Sequence, residues 1–328
     1  MRSISPCQSV RVRTAGTWRL SVAGAVVMCA VVCACSSSAA GSHAPVGPRS
    51  TSTRSPAPTS LAAGRPFAFT VQHETFVDAS RPTATPGNPA YSPRRTLPTD
   101  LYIPTAATPR PLIMFSHGYH GAPDKFTQLF RAWAAAGYFV AAPQFPLTST
   151  RGKPYDIVTD YVNQPRDVSF ILTQLLDGPL RSKIDATRIA AAGLSLGGAT
   201  TYGLVFNPCC RDPRLRAAAI FDGVRLPFSE PFGTNAVPVL FAHIDSDAAA
   251  PYSAARQAFA GSTTPKWFVT YHTGVHPEAY EDEPSPHDKT AIETSIDFFD
   301  LTLLGDQSAR ARLMRDGNHP GEASIVAG

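Results

Sequence analysis

Gly193-Leu-Ser-Leu-Gly-Gly-Ala-Thr200 is the stretch on which the fold turns. Its serine, Ser195, has glycines two positions away on either side. The residues just before it, Ile189-Ala-Ala-Ala192, form a compact apolar run that suits a buried strand, and Ala199, Tyr202, Gly203 and Val205 continue as a helix-like segment. A sharp strand-turn-helix bend needs positions without a side chain, and Gly193 and Gly197 supply them. Such an elbow lifts the serine hydroxyl to the C-terminal end of a strand, beside a helix N-terminus whose free amides stabilise negative charge. The small residues of the tail, Gly197-Gly-Ala-Thr200, let that helix approach the sheet closely.

Working outward, short apolar runs alternate with helix-spaced sets. The runs include Leu101–Ile103, Leu112–Phe115, Tyr138–Ala141, Ala217–Phe221, Val239–Ala242 and Trp267–Tyr271. Between them lie Phe126, Leu129, Phe130 and Trp133, then Val168, Ile171, Leu172, Leu175 and Leu176, then Ile292, Ile296, Phe299 and Leu303. Pro165 with Asp167 behind it marks a helix start. Runs apolar throughout are strands covered on both faces, so the alternation predicts an α/β fold with a mainly parallel sheet and helices on each side. Phe67–Phe69 and the segment around Leu101 have no helix between them and predict an antiparallel N-terminal edge. No internal repeat is visible.

A serine hydroxyl needs a base, and the base needs an orienting carboxylate. In α/β-hydrolase order the acid and then the histidine follow the serine. Of the later histidines, His276 lies in the loop Thr273–Pro277 after a strand, where such sheets carry their chemistry. His272 ends that strand, His243 sits inside another, and His287 and His319 lie further on, so His276 is the preferred base. The acid candidates are Asp222, Asp245 and Asp247, each after a strand, with Asp245 the most suited to a structural part. For the oxyanion, one donor is the amide of Leu196, directly after the serine, and the other is the amide of Tyr119 in Phe115-Ser-His-Gly-Tyr-His-Gly121. His117 and His120 have no nearby carboxylate or cysteine, so they do not read as a metal pair. No metal and no cofactor is expected.

The order of "SHGY", "GLSLGG", "DSDAAAPY" and "GVH" resembles the secreted α/β-hydrolases that group dienelactone hydrolase-like enzymes, platelet-activating-factor acetylhydrolase-like esterases and cutinase-like polyester hydrolases. The resemblance spans roughly residues 65–305. It implies the α/β-hydrolase fold and carboxylic ester hydrolysis through a Ser-His-Asp triad. In the dienelactone and polyester branches the acid stands four residues before a proline, which implies Asp247 before Pro251; the acetylhydrolase branch implies Asp222 instead. Asp247 is preferred, because it comes with Gly274-Val-His276, and Asp222 is the alternative. Tyr119 matches the aromatic residue that serves the polyester enzymes as donor and ring platform. Those enzymes carry a tryptophan soon after the strand ending near Phe221, where this chain has Gly223-Val-Arg-Leu226, and His243-Ile244 replaces the common His-Gly.

The ends of the chain read differently. Arg2, Arg11, Arg13 and Arg19 precede an uncharged run from Leu20 to Ala34, followed by Ser36-Ser-Ser38, the order of a secretory signal. Fifteen residues at about 1.5 Å rise fall short of a hydrocarbon core of about 30 Å. Val32-Cys33-Ala34-Cys35 resembles a bacterial lipobox, which implies a signal over 1–34 and a lipid anchor on Cys35, or a free extracellular protein if the box is not used. Residues 36–64 are Ser, Thr, Pro, Ala and Gly with almost no large apolar side chain, a flexible linker. The catalytic domain is expected over 65–310, with a flexible tail over 311–328. Cys209 and Cys210 are adjacent, and the sequence leaves open whether they are bonded. A net charge of +4, partly from the N-terminal arginines, leaves no basic field for nucleic acid. The expected partners are an ester substrate and a membrane met through the anchor, with the protein a monomer. Two rivals share the fold: an inactive cell-surface binding protein, and an acyltransferase using the same triad.

Overall fold

β5 (Ile184–Leu194) is the strand on which the opening motif rides, and α3 (Leu196–Phe206) is the helix it feeds. All eleven residues of α3 are buried, which explains a composition with no charged side chain. The computed structural model describes residues 66–85, 90–151, 156–235, 237–263 and 265–328. The signal over 1–34, Cys35 and the linker over 36–64 lie outside the described residues.

The described strands are β1 (Phe69–Asp78), β2 (Arg95–Pro104), β3 (Arg110–Ser116), β4 (Phe139–Pro143), β5, β6 (Leu215–Phe221), β7 (Val239–Ile244), β8 (Lys266–Tyr271) and β9 (Ala323–Ala327). They form one sheet in the order β1-β2-β4-β3-β5-β6-β7-β8-β9. The strands from β4 to β8 run parallel, while β1 against β2, β2 against β4 and β9 against β8 are antiparallel. This is an α/β-hydrolase fold, with the antiparallel N-terminal edge that the missing helix predicts.

Two apolar layers cover the sheet. Phe126, Phe130 and Trp133 from the turn before and along α1 (Thr127–Ala135), with Ile292, Ile296 and Phe299 of α5 (Asp288–Phe299), pack on one face. Val168, Ile171 and Leu172 of α2 (Gln164–Asp177), Leu204 of α3, and Ala255 of α4 (Tyr252–Gly261) pack on the other. The residues from α1, α2 and α5 have the helical spacing read from the sequence.

The segment 311–328 is not a loose tail. α6 (Ala309–Asp316) buries Ala309 and Leu313, and β9 pairs Trp267 to Tyr271 of β8 with Ala327 to Ala323. His319 closes the turn between them, its amide and carbonyl both bonded to Ala323. Five residues with two buried apolar side chains make a weak periodic signal, yet they satisfy the backbone groups that an open β8 edge would leave unpaired.

Asp167 does more than favour a helix N-terminus. Arg95 of β2 is buried, and it donates to Asp167 at 2.7 and 2.5 Å and to Asp160 at 3.0 and 2.9 Å. Arg81 adds a bond to Asp167 at 2.8 Å, so the antiparallel edge is tied to α2 through charges hidden from water. Cys209 and Cys210, beyond the end of α3, are disulfide-bonded.

Candidate active site

Ser195 stands between β5 and α3 with φ 56° and ψ −114°, in the left-handed region that costs a residue with a Cβ on the order of 1–3 kcal/mol. The surroundings enforce it. Its amide donates to the Phe221 carbonyl at 2.9 Å, and its carbonyl accepts from the Val224 amide at 3.1 Å. The glycines of the motif are there for close approach: a Cβ on Gly197 would collide with the Ser116 carbonyl, one on Gly193 with the Gly197 carbonyl, and one on Gly198 with Gly223. The helix therefore starts directly against the ends of β3 and β6.

The loop after β3 reaches the serine. A Cβ on Gly118 would stand 3.3 Å from Ser195 Cβ and 3.8 Å from its Oγ, so this backbone borders the hydroxyl. Tyr119 follows, exposed and stacked on His120 with ring centroids 4.1 Å apart, and His120 bonds Asp156 at 2.6 Å. Leu196 is buried at the first position of α3, where the helix itself provides no acceptor for an amide.

His117 turns out to be the brace of this loop. It is buried, its Nε2 accepts from the Phe145 amide at 3.0 Å, and its Nδ1 lies 2.7 Å from the Gly118 carbonyl. An accepting Nε2 leaves the proton on Nδ1, so the ring is neutral and donates to Gly118. Burial pushes its pKa down to about 4, which keeps it in that form. Two backbone partners leave no pattern in residue spacing, so this bracing role of His117 is not legible in the sequence.

Beside Asp222, the loops after β7 and β8 meet. His276 Nδ1 lies 2.7 Å from Asp247 Oδ2, and Asp247 Oδ1 accepts from the amides of Ala249 and Ala250 at 2.7 and 2.8 Å. Burial raises the Asp247 carboxyl, but the His276 and backbone hydrogen bonds outweigh it and hold the group below the usual aspartate value. For His276 burial opposes the charged form, yet the bond to Asp247 and the charges of Asp222 and Asp247 prevail, and its pKa stands above the ordinary histidine value. The hydrogen bond between them favours the charged form of each, lowering the Asp247 pKa and raising that of His276.

His243 supports the same carboxylate from below. It is buried in β7, its Nε2 lies 2.9 Å from the Ala250 carbonyl, and burial lowers its pKa, so it donates to Ala250 and fixes the loop that carries Asp247. Asp245 pairs with His272 at 3.0 Å on the exposed side of the loops, and His287 is buried with Nε2 2.9 Å from the Thr273 carbonyl. Neither of those histidines bonds Asp247. Asp222, the alternative acid, is buried at the end of β6, where its Oδ1 accepts from the Ile244 amide at 2.8 Å.

Among the described residues, Asp222, Asp247 and His276 form the one cluster whose side-chain ligand atoms fall within 4.8 Å of one another, and His117 and His120 join no such group. Asp247 is engaged with His276 and with two backbone amides. No described helix is long and apolar enough to cross a membrane.

Among known families, chlorophyllase matches residues 77–223. Sheet and match together support an α/β-hydrolase. The matched segment runs from the end of β1 through Tyr119, Ser195 and Leu196 to Asp222 and Gly223. It stops before Asp247 and His276, whose side chains come within 4.8 Å of Asp222 at its end. No curated protein matches the chain.

Proposed function

We propose that the protein is a serine hydrolase of carboxylic esters that works outside the cytoplasm. The observation that carries this reading is the 2.7 Å bond between His276 Nδ1 and Asp247 Oδ2, in a chain whose Ser195 is held in a strained elbow. With Nδ1 committed to the carboxylate, Nε2 is the nitrogen free to act as base. Ser195 attacks the ester carbonyl while His276 takes its proton, and the amides of Tyr119 and Leu196 receive the oxyanion. The tetrahedral intermediate collapses as His276 returns the proton to the leaving alcohol. Water, activated by the same nitrogen, then releases the acid from the acyl-enzyme. Asp247 holds the tautomer and stabilises the imidazolium without itself taking the proton.

The N-terminal signal and Cys35 support export with a lipid anchor at the membrane, or release if Cys35 is not modified. The hydrolase is read as a monomer that needs no cofactor. Ser195→Ala tests the core of the proposal. Hydrolysis of p-nitrophenyl butyrate should vanish with the thermal melt unchanged, and turnover persisting at the wild-type rate would sink it.

A further inference from the structure

Asp222 has a place at this site that the serine, histidine and acid leave unexplained. It is fully buried, has φ 41°, and uses Oδ1 for the Ile244 amide while its own amide donates to the Ala242 carbonyl at 2.9 Å. Among the described residues its Oδ2 has no hydrogen-bond partner, an expensive condition for a buried carboxyl oxygen. The same side chain falls within 4.8 Å of ligand atoms on both Asp247 and His276. A group needed only to clip β6 to β7 would not have to stand beside His276 and Asp247 as well.

We propose that Asp222 is a positioning residue for His276 and a second partner for its imidazole: beside Asp247 it strengthens the field on the ring, and without Asp247 it accepts the Nδ1 hydrogen bond. The inference rests on the Ser195, His276 and Asp247 reading. Asp222 belongs to the tight turn after β6, adjacent to Phe221, whose carbonyl holds the Ser195 amide, so it sits on the side of the site nearest the nucleophile's backbone. The titratable groups facing it are Asp247 and His243 from β7 and its loop, His276 and Glu278 from the loop after β8, Tyr271 at the end of β8, and Tyr280. Burial, with a further push from Asp247, raises the Asp222 carboxyl to about 7 against the pull of Ile244 and His276. It is thus part neutral at physiological pH while Asp247 stays charged, the separation expected of two acids with different duties.

The test is a double-mutant cycle on Asp222→Asn and Asp247→Asn, followed by hydrolysis of p-nitrophenyl butyrate across pH in the full chain. Asp247→Asn should keep a residual rate that climbs with pH as Asp222 ionises, and the double variant should fall at least about tenfold below it and keep only the rise that comes from deprotonation of His276. Equal rates and equal pH profiles for the single and double variants would overturn the proposal. Should Asp247→Asn fail to fold, an NMR titration of His276 in Asp222→Asn decides: a midpoint lower than in the wild type supports the contact, and an unmoved midpoint overturns it. Failure of the underlying reading looks different, because there Ser195→Ala would retain activity.

Discussion

Two aspartate–histidine pairs join the loops after β7 and β8. Asp245 Oδ2 meets His272 Nδ1 at 3.0 Å, and Asp247 Oδ2 meets His276 Nδ1 at 2.7 Å. The residue types are the same and the loops are the same, yet the surroundings differ. The Asp245 and His272 side chains are 35% and 38% exposed, whereas those of Asp247 and His276 are 0% and 15% exposed. Asp247 also leans on two backbone amides and on the loop that buried His243 fixes, while Asp245 has the Thr273 amide at 3.1 Å and solvent. An exposed ion pair is screened by water and contributes little, and a buried, buttressed one keeps its orientation and its field. The outer pair clips the loops together, and the inner pair is fit to move a proton.

Substituting the two aspartates breaks the comparison most directly. Asp247→Asn is expected to lower turnover by on the order of a hundredfold or more, since the imidazole loses the carboxylate that sets its tautomer. Asp245→Asn should change it by no more than about threefold. Steady-state kinetics on one ester decide, and comparable losses in both variants would mean that the exposed pair is not a mere clip.

The pH profile sharpens the same contrast. His276 must be neutral to act as base, so turnover is lost as pH falls through its folded-state pKa, which lies above the ordinary histidine value of about 6.5. Asp247→Asn removes the hydrogen bond that helps raise that pKa, so the midpoint of an NMR titration of His276 should fall in that variant. Asp245→Asn should leave the midpoint where it is. Stability runs the other way: a histidine raised on folding stabilises the native state below its unfolded pKa, and that contribution disappears as pH rises through the folded one. Asp247, depressed on folding, contributes above its unfolded pKa and loses its contribution as pH falls through the folded value.

Much of this site is legible in residue order. Glycines at 193 and 197 have one geometric use beside a buried strand, and His276 and Asp247 stand where strand ends must deliver them. What stays hidden is whatever depends on backbone partners or on distant charges. His117 and His243 each bond a carbonyl, a contact that leaves no spacing signature, and the Arg95 cluster joins residues 65 and 72 positions apart. β9 is missed for a related reason, because an edge strand with one side open to water needs few apolar residues and is specified by the strand it completes.

The smallest effect expected is the most informative about the outer pair. His272→Ala removes the Asp245 bond but leaves the Ser246 hydroxyl on the Gly274 carbonyl at 3.2 Å, the His272 amide on Glu322 at 2.8 Å and the buried His287 on Thr273. With those ties intact, the loss in unfolding free energy should be about 0.2–1 kcal/mol at low salt and should shrink at 1 M sodium chloride, where screening acts within about 3 Å. Chemical denaturation of the variant and the parent at both salt concentrations measures it. A loss well above this range that persists at high salt would show that the pair shapes the loop carrying His276 rather than only clipping it, and the division between a structural outer pair and a working inner pair would have to be redrawn.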